Sequence, residues 1–181
     1  VRPAGVRYAQ TVTTAAGYGY EYVKRVEALP GKAGFRIDHT LMNRGTKRIT
    51  TTVYNHNFFN VDGDTVGPNY AIEFPHAVAA DKPVERFAEL VRLDNRRLTL
   101  TGVLDKESVY AGLTGWPAGA DYQFAMTHKP SGVKMRVIGT GAPVAKFNLW
   151  AVGGCLCPEP FVALDIAPEA AAAWRAEYVF E

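Results

Sequence analysis

Apolar side chains recur at every second position over much of this chain, the periodicity of a strand with one face buried. Tyr18, Tyr20 and Tyr22 alternate with Gly19, Glu21 and Val23. In the next run Phe35, Ile37, His39 and Leu41 form one face against Arg36, Asp38, Thr40 and Met42. Asn43-Arg44-Gly45 supplies a turn, and residues 48–54 are then rich in Thr, Ile and Val, as strands prefer. Further strands are expected over residues 69–74, 98–104, 122–126, 133–138, 144–150 and 161–166. Gly and Pro clusters punctuate them, among them Asp62-Gly63-Asp64, Gly115-Trp116-Pro117 and Gly141-Ala142-Pro143. Two segments carry helical signals. Residues 82–93 have a weak amphipathic pattern that leaves helix and strand both open. Residues 168–174 start with proline and run into alanines, but Trp174, Ala176, Tyr178 and Phe180 then alternate, which predicts a turn and a final strand. Many antiparallel strands at short intervals predict an all-β chain folded as a β-sandwich. With no internal repeat or linker, residues 1–181 are expected to form one domain.

Composition narrows the partners. Of the 181 residues 48% are hydrophobic and 21% charged, and the net charge is only +2. The basic pairs Lys24-Arg25, Lys47-Arg48 and Arg96-Arg97 are scattered among acids, whereas a nucleic-acid surface shows a basic stripe, so no nucleic-acid partner is expected. No apolar run approaches the roughly 20 residues that cross a bilayer, so no membrane partner is expected either. The first residues do not resemble a signal peptide. The chain starts at Val1, and a soluble protein is expected, cytoplasmic or exported with its signal removed. Cys155 and Cys157 stand two positions apart, about 6.5–7 Å along an extended strand, which is poor geometry for a bridge. Metal-ligand spacings are absent, so two buried thiols and no metal are expected. Nothing in the sequence sets the oligomeric state.

Three stretches carry candidate chemistry. Tyr54-Asn55-His56-Asn57-Phe58-Phe59-Asn60 places an imidazole, which titrates near neutrality, between amides and aromatic rings. Rings and amides together suit a ligand with C–H faces and hydroxyl edges, such as a sugar. The bland alternative is a polar strand end with His56 partly solvated. Cys157-Pro158-Glu159-Pro160-Phe161 sets a carboxylate between two prolines on a stiff backbone. Apolar neighbours there would raise its pKa toward that of a useful general base. The alternative is an edge strand whose prolines block pairing and whose Glu159 keeps the rim soluble. Asp121 opens a strand in Asp121-Tyr122-Gln123-Phe124, either as a ligand group or as a turn residue, and Trp116 and Trp150 fit packing as well as stacking.

Taken in order, these stretches resemble the aldose 1-epimerase (galactose mutarotase-like) family. Asn55-His56-Asn57-Phe58-Phe59-Asn60 is similar to its N-H-x-[YF]-F-N motif, Cys157-Pro158-Glu159 to its C-x-E motif, and Asp121-Tyr122-Gln123-Phe124 to a D-x-x-F stretch between them. The resemblance runs from about Tyr18 to Phe180. It implies a large antiparallel β-sandwich, the galactose mutarotase-like supersandwich, and an isomerase of carbohydrate metabolism that needs no cofactor. Under it Glu159 is the catalytic base and His56 the acid. Asp121 holds sugar hydroxyls, Asn55 joins the sugar contacts, and Phe58, Phe59 or Trp150 offers a ring face to the sugar. The family carries a substantial N-terminal portion that supplies a further histidine and an arginine, whereas 55 residues precede His56 here. The resemblance therefore implies an atypical member, or the C-terminal part of one. Two other functions fit the same fold: a non-catalytic carbohydrate-binding module, and a structural β-sandwich of a polysaccharide-processing enzyme.

Overall fold

The computed structural model describes residues 4–181. Fourteen strands follow one another: β1 (Gly5–Thr13), β2 (Gly19–Ala28), β3 (Gly34–Asn43), β4 (Ile49–Tyr54), β5 (Tyr70–Glu73), β6 (Ala79–Glu85), β7 (Val91–Asp94), β8 (Arg97–Leu100), β9 (Ser108–Thr114), β10 (Tyr122–His128), β11 (Lys134–Thr140), β12 (Val144–Val152), β13 (Cys155–Ile166) and β14 (Ala171–Phe180). One helical turn, α1 (Phe87–Leu90), lies between β6 and β7 and buries Phe87 and Leu90. Nine strands make one antiparallel sheet in the order β1-β2-β3-β14-β11-β10-β5-β8-β7, and five make a second in the order β4-β13-β12-β9-β6.

Alternation decides which side chains meet between the sheets. From the nine-stranded sheet Phe124, Met126, Val137, Ala176 and Tyr178 turn inward, and from the five-stranded sheet Phe147, Leu149, Ala151, Leu156 and Val162. Phe147 and Phe124 meet edge to face with centroids 5.7 Å apart, and Trp116 stacks on Phe147 at 4.4 Å. Such geometry suits the ring quadrupoles and adds to the area they remove from water. Gly139 pairs with Tyr122. Its missing side chain makes room for that ring, since a Cβ there would lie 2.0 Å from it.

The expected all-β sandwich is present, with local differences. Segment 82–93 is neither a helix nor a single strand but the end of β6, the turn α1 and β7. The strand expected over 98–104 closes at Leu100, because Leu104 leaves the ladder to bury itself in the core. β1 and β9 went unread: β9 interleaves Val109, Ala111 and Leu113 with a glycine, and Ala and Gly are poor strand signals.

The two sheets do not cover each other fully. Cross-strand register puts Val6, Tyr8 and Gln10 of β1 on the same face as Lys24, Tyr22, His39 and Trp174. Val6 and Tyr8 stay exposed there, beyond the β4 edge of the five-stranded sheet.

Candidate functional site

The outer face of the five-stranded sheet carries the chemistry. Leu149, Ala151 and Phe147 of β12 point into the core, so Lys146, Asn148 and Trp150 point out. Asn148 pairs with Glu159 and Trp150 with Cys157, which places Glu159 and Cys157 on that outer face. Glu159 is nevertheless only 6% exposed, because the chain after β4 folds over it. His56 Nδ1 lies 3.1 Å from Glu159 Oε1. Phe58 stacks on the His56 ring at 4.2 Å, Trp150 meets it edge-on at 5.7 Å, and Tyr54 flanks it at 5.6 Å. Phe58 itself is 62% exposed.

The two prolines explain how the histidine reaches the carboxylate. β13 is an interior strand between β4 and β12, so the edge-strand alternative does not hold. Its pairing with β4 stops at Phe161↔Tyr54 and resumes only as a single bridge, Phe59↔Leu156. Asn57 Nδ2 donates to the Pro158 carbonyl at 3.0 Å, so the backbone groups of residue 158 face this gap. In an antiparallel strand a residue's N–H and C=O point the same way and alternate along the chain, so Pro160 faces it too. Proline removes the two N–H groups that the gap would leave unpaired. The gap gives residues 55–58 room to arch outward and set His56 over Glu159.

The arch alternates. Tyr54, His56 and Phe58 turn to the outer face, and Asn55, Asn57 and Phe59 turn inward. Asn57 is buried, and its Oδ1 accepts from the Tyr178 hydroxyl of the opposite sheet at 2.8 Å. Asn55 Nδ2 also reaches that hydroxyl, at 3.4 Å. Phe59 packs against the core near Phe124. The structure therefore gathers His56, Glu159, Phe58 and Trp150, and sets Asn55 and Phe59 on the far side of the arch. Asp121 is exposed just before β10, and no contact joins it to this cluster among the described residues. Asn57 and Tyr178 were missed as supports. The spacing of Asn57 carried a signal, but its partner lies 121 positions away. We expect Asn57→Ala to cost about 1–3 kcal/mol by orphaning the Pro158 carbonyl and removing the acceptor of the buried Tyr178 hydroxyl. Urea denaturation would measure it, and an unchanged midpoint would show that these bonds do not hold the arch.

Beside the pair opens a cavity of about 640 Å³, lined by Asp81, Tyr110, Thr114, Trp116, Lys146 and Asn148 among others. Asn148 is the cross-strand neighbour of Glu159, so the cavity lies one strand away from the carboxylate, and neither Glu159 nor His56 is part of its lining. Burial pushes the Glu159 carboxyl above its ordinary pKa, while His56 and Lys146 pull it back. The cysteines are free and buried, with sulfurs 3.7 Å apart, and burial pushes the Cys157 thiol up, which makes it a poor nucleophile. Among the described residues no cluster of His, Cys, Asp and Glu could hold a metal ion, and no helix is long and apolar enough to cross a membrane. His128 is buried as well, between Asp64 at 2.9 Å and Ser131 at 2.8 Å, and ties a loop to the hairpin of β10 and β11.

No family model matches the sequence, and neither does any curated protein. Solved structures do match the fold. A candidate aldose 1-epimerase from Klebsiella pneumoniae aligns with a TM-score of 0.73 at 12% identity, over 99% of this chain and 52% of that one. A galactose mutarotase-like protein from Lactobacillus casei aligns at 0.65 and 12% identity, over 98% of this chain and 70% of its own. A galactose mutarotase related enzyme from Lactobacillus acidophilus aligns at 0.62 and 11% identity, over 98% and 68%. The chain thus has the galactose mutarotase-like β-sandwich fold, and it spans about half the length of the Klebsiella protein.

Proposed function

We propose that this sandwich binds an aldose at the His56–Glu159 pair and interconverts its two anomers by acid/base ring opening. The observation that carries the reading is the 3.1 Å contact between His56 and a buried carboxylate. The anomeric hydroxyl and the ring oxygen share one carbon, so the base and acid that serve them must be close neighbours. Here they touch. With His56 protonated, Nδ1–H donates to Glu159 Oε1 and Nε2–H is left for the ring oxygen. The second carboxylate oxygen takes the proton of the anomeric hydroxyl. As that proton leaves and His56 delivers its own, the bond between C1 and the ring oxygen breaks and an open-chain aldehyde forms. Rotation about C1–C2 and the reverse transfers close the other anomer. No redox cofactor or nucleotide enters the balance.

The environment suits these roles. A carboxyl pushed upward by burial is a stronger base than an exposed one. Phe58 and Trp150 fix the imidazole plane and leave an apolar surface for the C–H face of the sugar. Asp81, Tyr110 and Asn148 line the cavity with hydroxyl-binding groups. Polarimetry with freshly dissolved α-glucose or α-galactose tests the reading. The protein should speed the approach to the equilibrium rotation over buffer alone. Sugar binding without acceleration would instead favour a non-catalytic carbohydrate-binding module. Neither binding nor acceleration would leave a structural sandwich.

A further inference from the structure

A bare sheet edge is a template for another strand, and sheets usually blunt it with short length, a bulge, lysine or proline. Three of the four edges here are short or blunted. β7 has four residues, with Arg92 and Asp94 among them, and β4 has six. β6 is broken between Asp81 and Val84, where Lys82 takes a φ of 48° and Pro83 follows. β1 runs nine residues in unbroken register with β2, has no lysine or proline, and leaves eight of the nine exposed. Val6 is 54% and Tyr8 58% exposed. We propose that β1 pairs antiparallel with β1 of a second copy of this chain across a two-fold axis, joining the two nine-stranded sheets into one.

The main chain sets the register. Ala4 and Thr14 bond to β2 and its turn, at Ala28 and Tyr18. Even-numbered residues between them therefore aim their N–H and C=O groups at β2, while Gly5, Arg7, Ala9, Thr11 and Thr13 aim theirs outward. A two-fold axis through Ala9 matches these five to one another. Ala9 meets Ala9 of the partner subunit, Arg7 meets Thr11 of the partner subunit, and Gly5 meets Thr13 of the partner subunit. Every outward group is then paired, in about ten main-chain hydrogen bonds, the usual number for a specific interface. Such pairing is self-complementary and closes at two chains.

The side chains fit the same register. On the inner face Trp174 and His39 stack with centroids 4.9 Å apart, and Tyr22 continues the row at 6.0 Å. Gln10 is the cross-strand neighbour of Tyr22, and Tyr8 of the partner subunit would stand next in line. Val6 would face Val12 of the partner subunit, a pair of β-branched side chains. On the outer face Arg7 lies opposite Arg25 of its own chain, an unfavourable like-charge pair, and it has no ion-pair partner among the described residues. Across the axis it meets a threonine, and behind Thr11 stands Glu21. Two strands apart is about 9–10 Å, a span an arginine can cross over a threonine. Glu21 Oε2 meets Arg44, and its other oxygen is left for Arg7 of the partner subunit. A register centred on Arg7 would instead set two guanidinium groups against each other.

Sedimentation velocity on the full chain, from about 1 to about 100 µM, tests this. The wild type is expected to sediment as two chains in the upper part of that range. Ala9→Pro removes an outward N–H at the axis and no bond to β2. Arg7→Glu sets a carboxylate against Glu21 of the partner subunit while relieving the Arg25 contact within its own chain, so the fold should persist. Each variant should weaken the dimer at least about tenfold. Combining Arg7→Glu with Glu21→Arg should restore it. Circular dichroism shows that each variant is folded, and if Ala9→Pro is not, the charge reversals carry the test alone. A wild type that stays a single chain at every concentration leaves the edge to some other strand and overturns the proposal. So does a dimer that a folded variant forms as well as the wild type does, a double reversal that fails to restore it, or an assembly larger than two chains.

Discussion

Glu159→Gln is expected to slow anomer interconversion by roughly 10²–10⁴-fold, the usual contribution of one positioned proton-transfer group. The amide keeps the size of the carboxylate and can still meet His56 Nδ1, so the arch of residues 55–58 and the fold should persist. What it lacks is the capacity to accept the anomeric proton. Sugar affinity by calorimetry should therefore change far less than the polarimetric rate. A Glu159→Gln protein that turns over at the wild-type rate would remove Glu159 from the chemistry. The pH profile gives an independent reading. Because burial raises the Glu159 pKa, the acid limb of kcat/KM should lie above the ordinary carboxylate range. A limb at the value of an exposed glutamate would contradict the proposed base.

The second large effect concerns stability in acid. His39 lies in the row formed with Tyr22 and Trp174, and burial together with Lys24 lowers its pKa from 6.5 to about 4, against a small opposing pull from Asp38. The folded protein therefore keeps His39 neutral over a range in which the unfolded chain protonates it. The stability this represents is present above pH 6.5 and is lost as pH falls toward about 4. At about 1.4 kcal/mol for each pH unit, the loss approaches about 3 kcal/mol. Glu159 acts in the other direction: its raised pKa makes the folded state relatively more stable in acid and less so as pH rises through that pKa. Comparing wild type with His39→Phe cancels that contribution. Urea denaturation at pH 7 and pH 4.5 should show a much shallower loss in the variant. Parallel losses in both proteins would show that His39 is not the group responsible.

The strands were legible where alternation was clean. The Tyr20–Tyr22 and Phe35–Leu41 runs lie within β2 and β3, and the Trp174–Phe180 alternation within β14. The sandwich follows from many such runs with short connections. Less legible were elements whose pattern was blurred by Ala, Gly and charged positions, such as β9 and the β6–α1–β7 stretch. At the site, residue types pointed to His56 and Glu159 as candidates, but the sequence could not say that they touch across 103 positions, because that depends on a ladder gap between β13 and β4. Strand-like alternation continued through His56 does separate the outward Phe58 from the inward Phe59, and the arch keeps that alternation. Asp81, Lys146 and Asn148 carried no local signal at all. They line the larger cavity because register brings β6 and β12 to either side of β9.

The gap has a further consequence, for how such a site can change over generations. Glu159 rides on β13, held by β12, while His56 rides on an arch that, besides the His56–Glu159 contact itself, is tied to β13 by Asn57 and Phe59. The two groups thus have separate mounts. Insertions or substitutions in residues 55–58 can move or replace the proton donor without shifting the carboxylate, since no ladder bond transmits the change. A lineage built on this scaffold is free to retune one partner at a time.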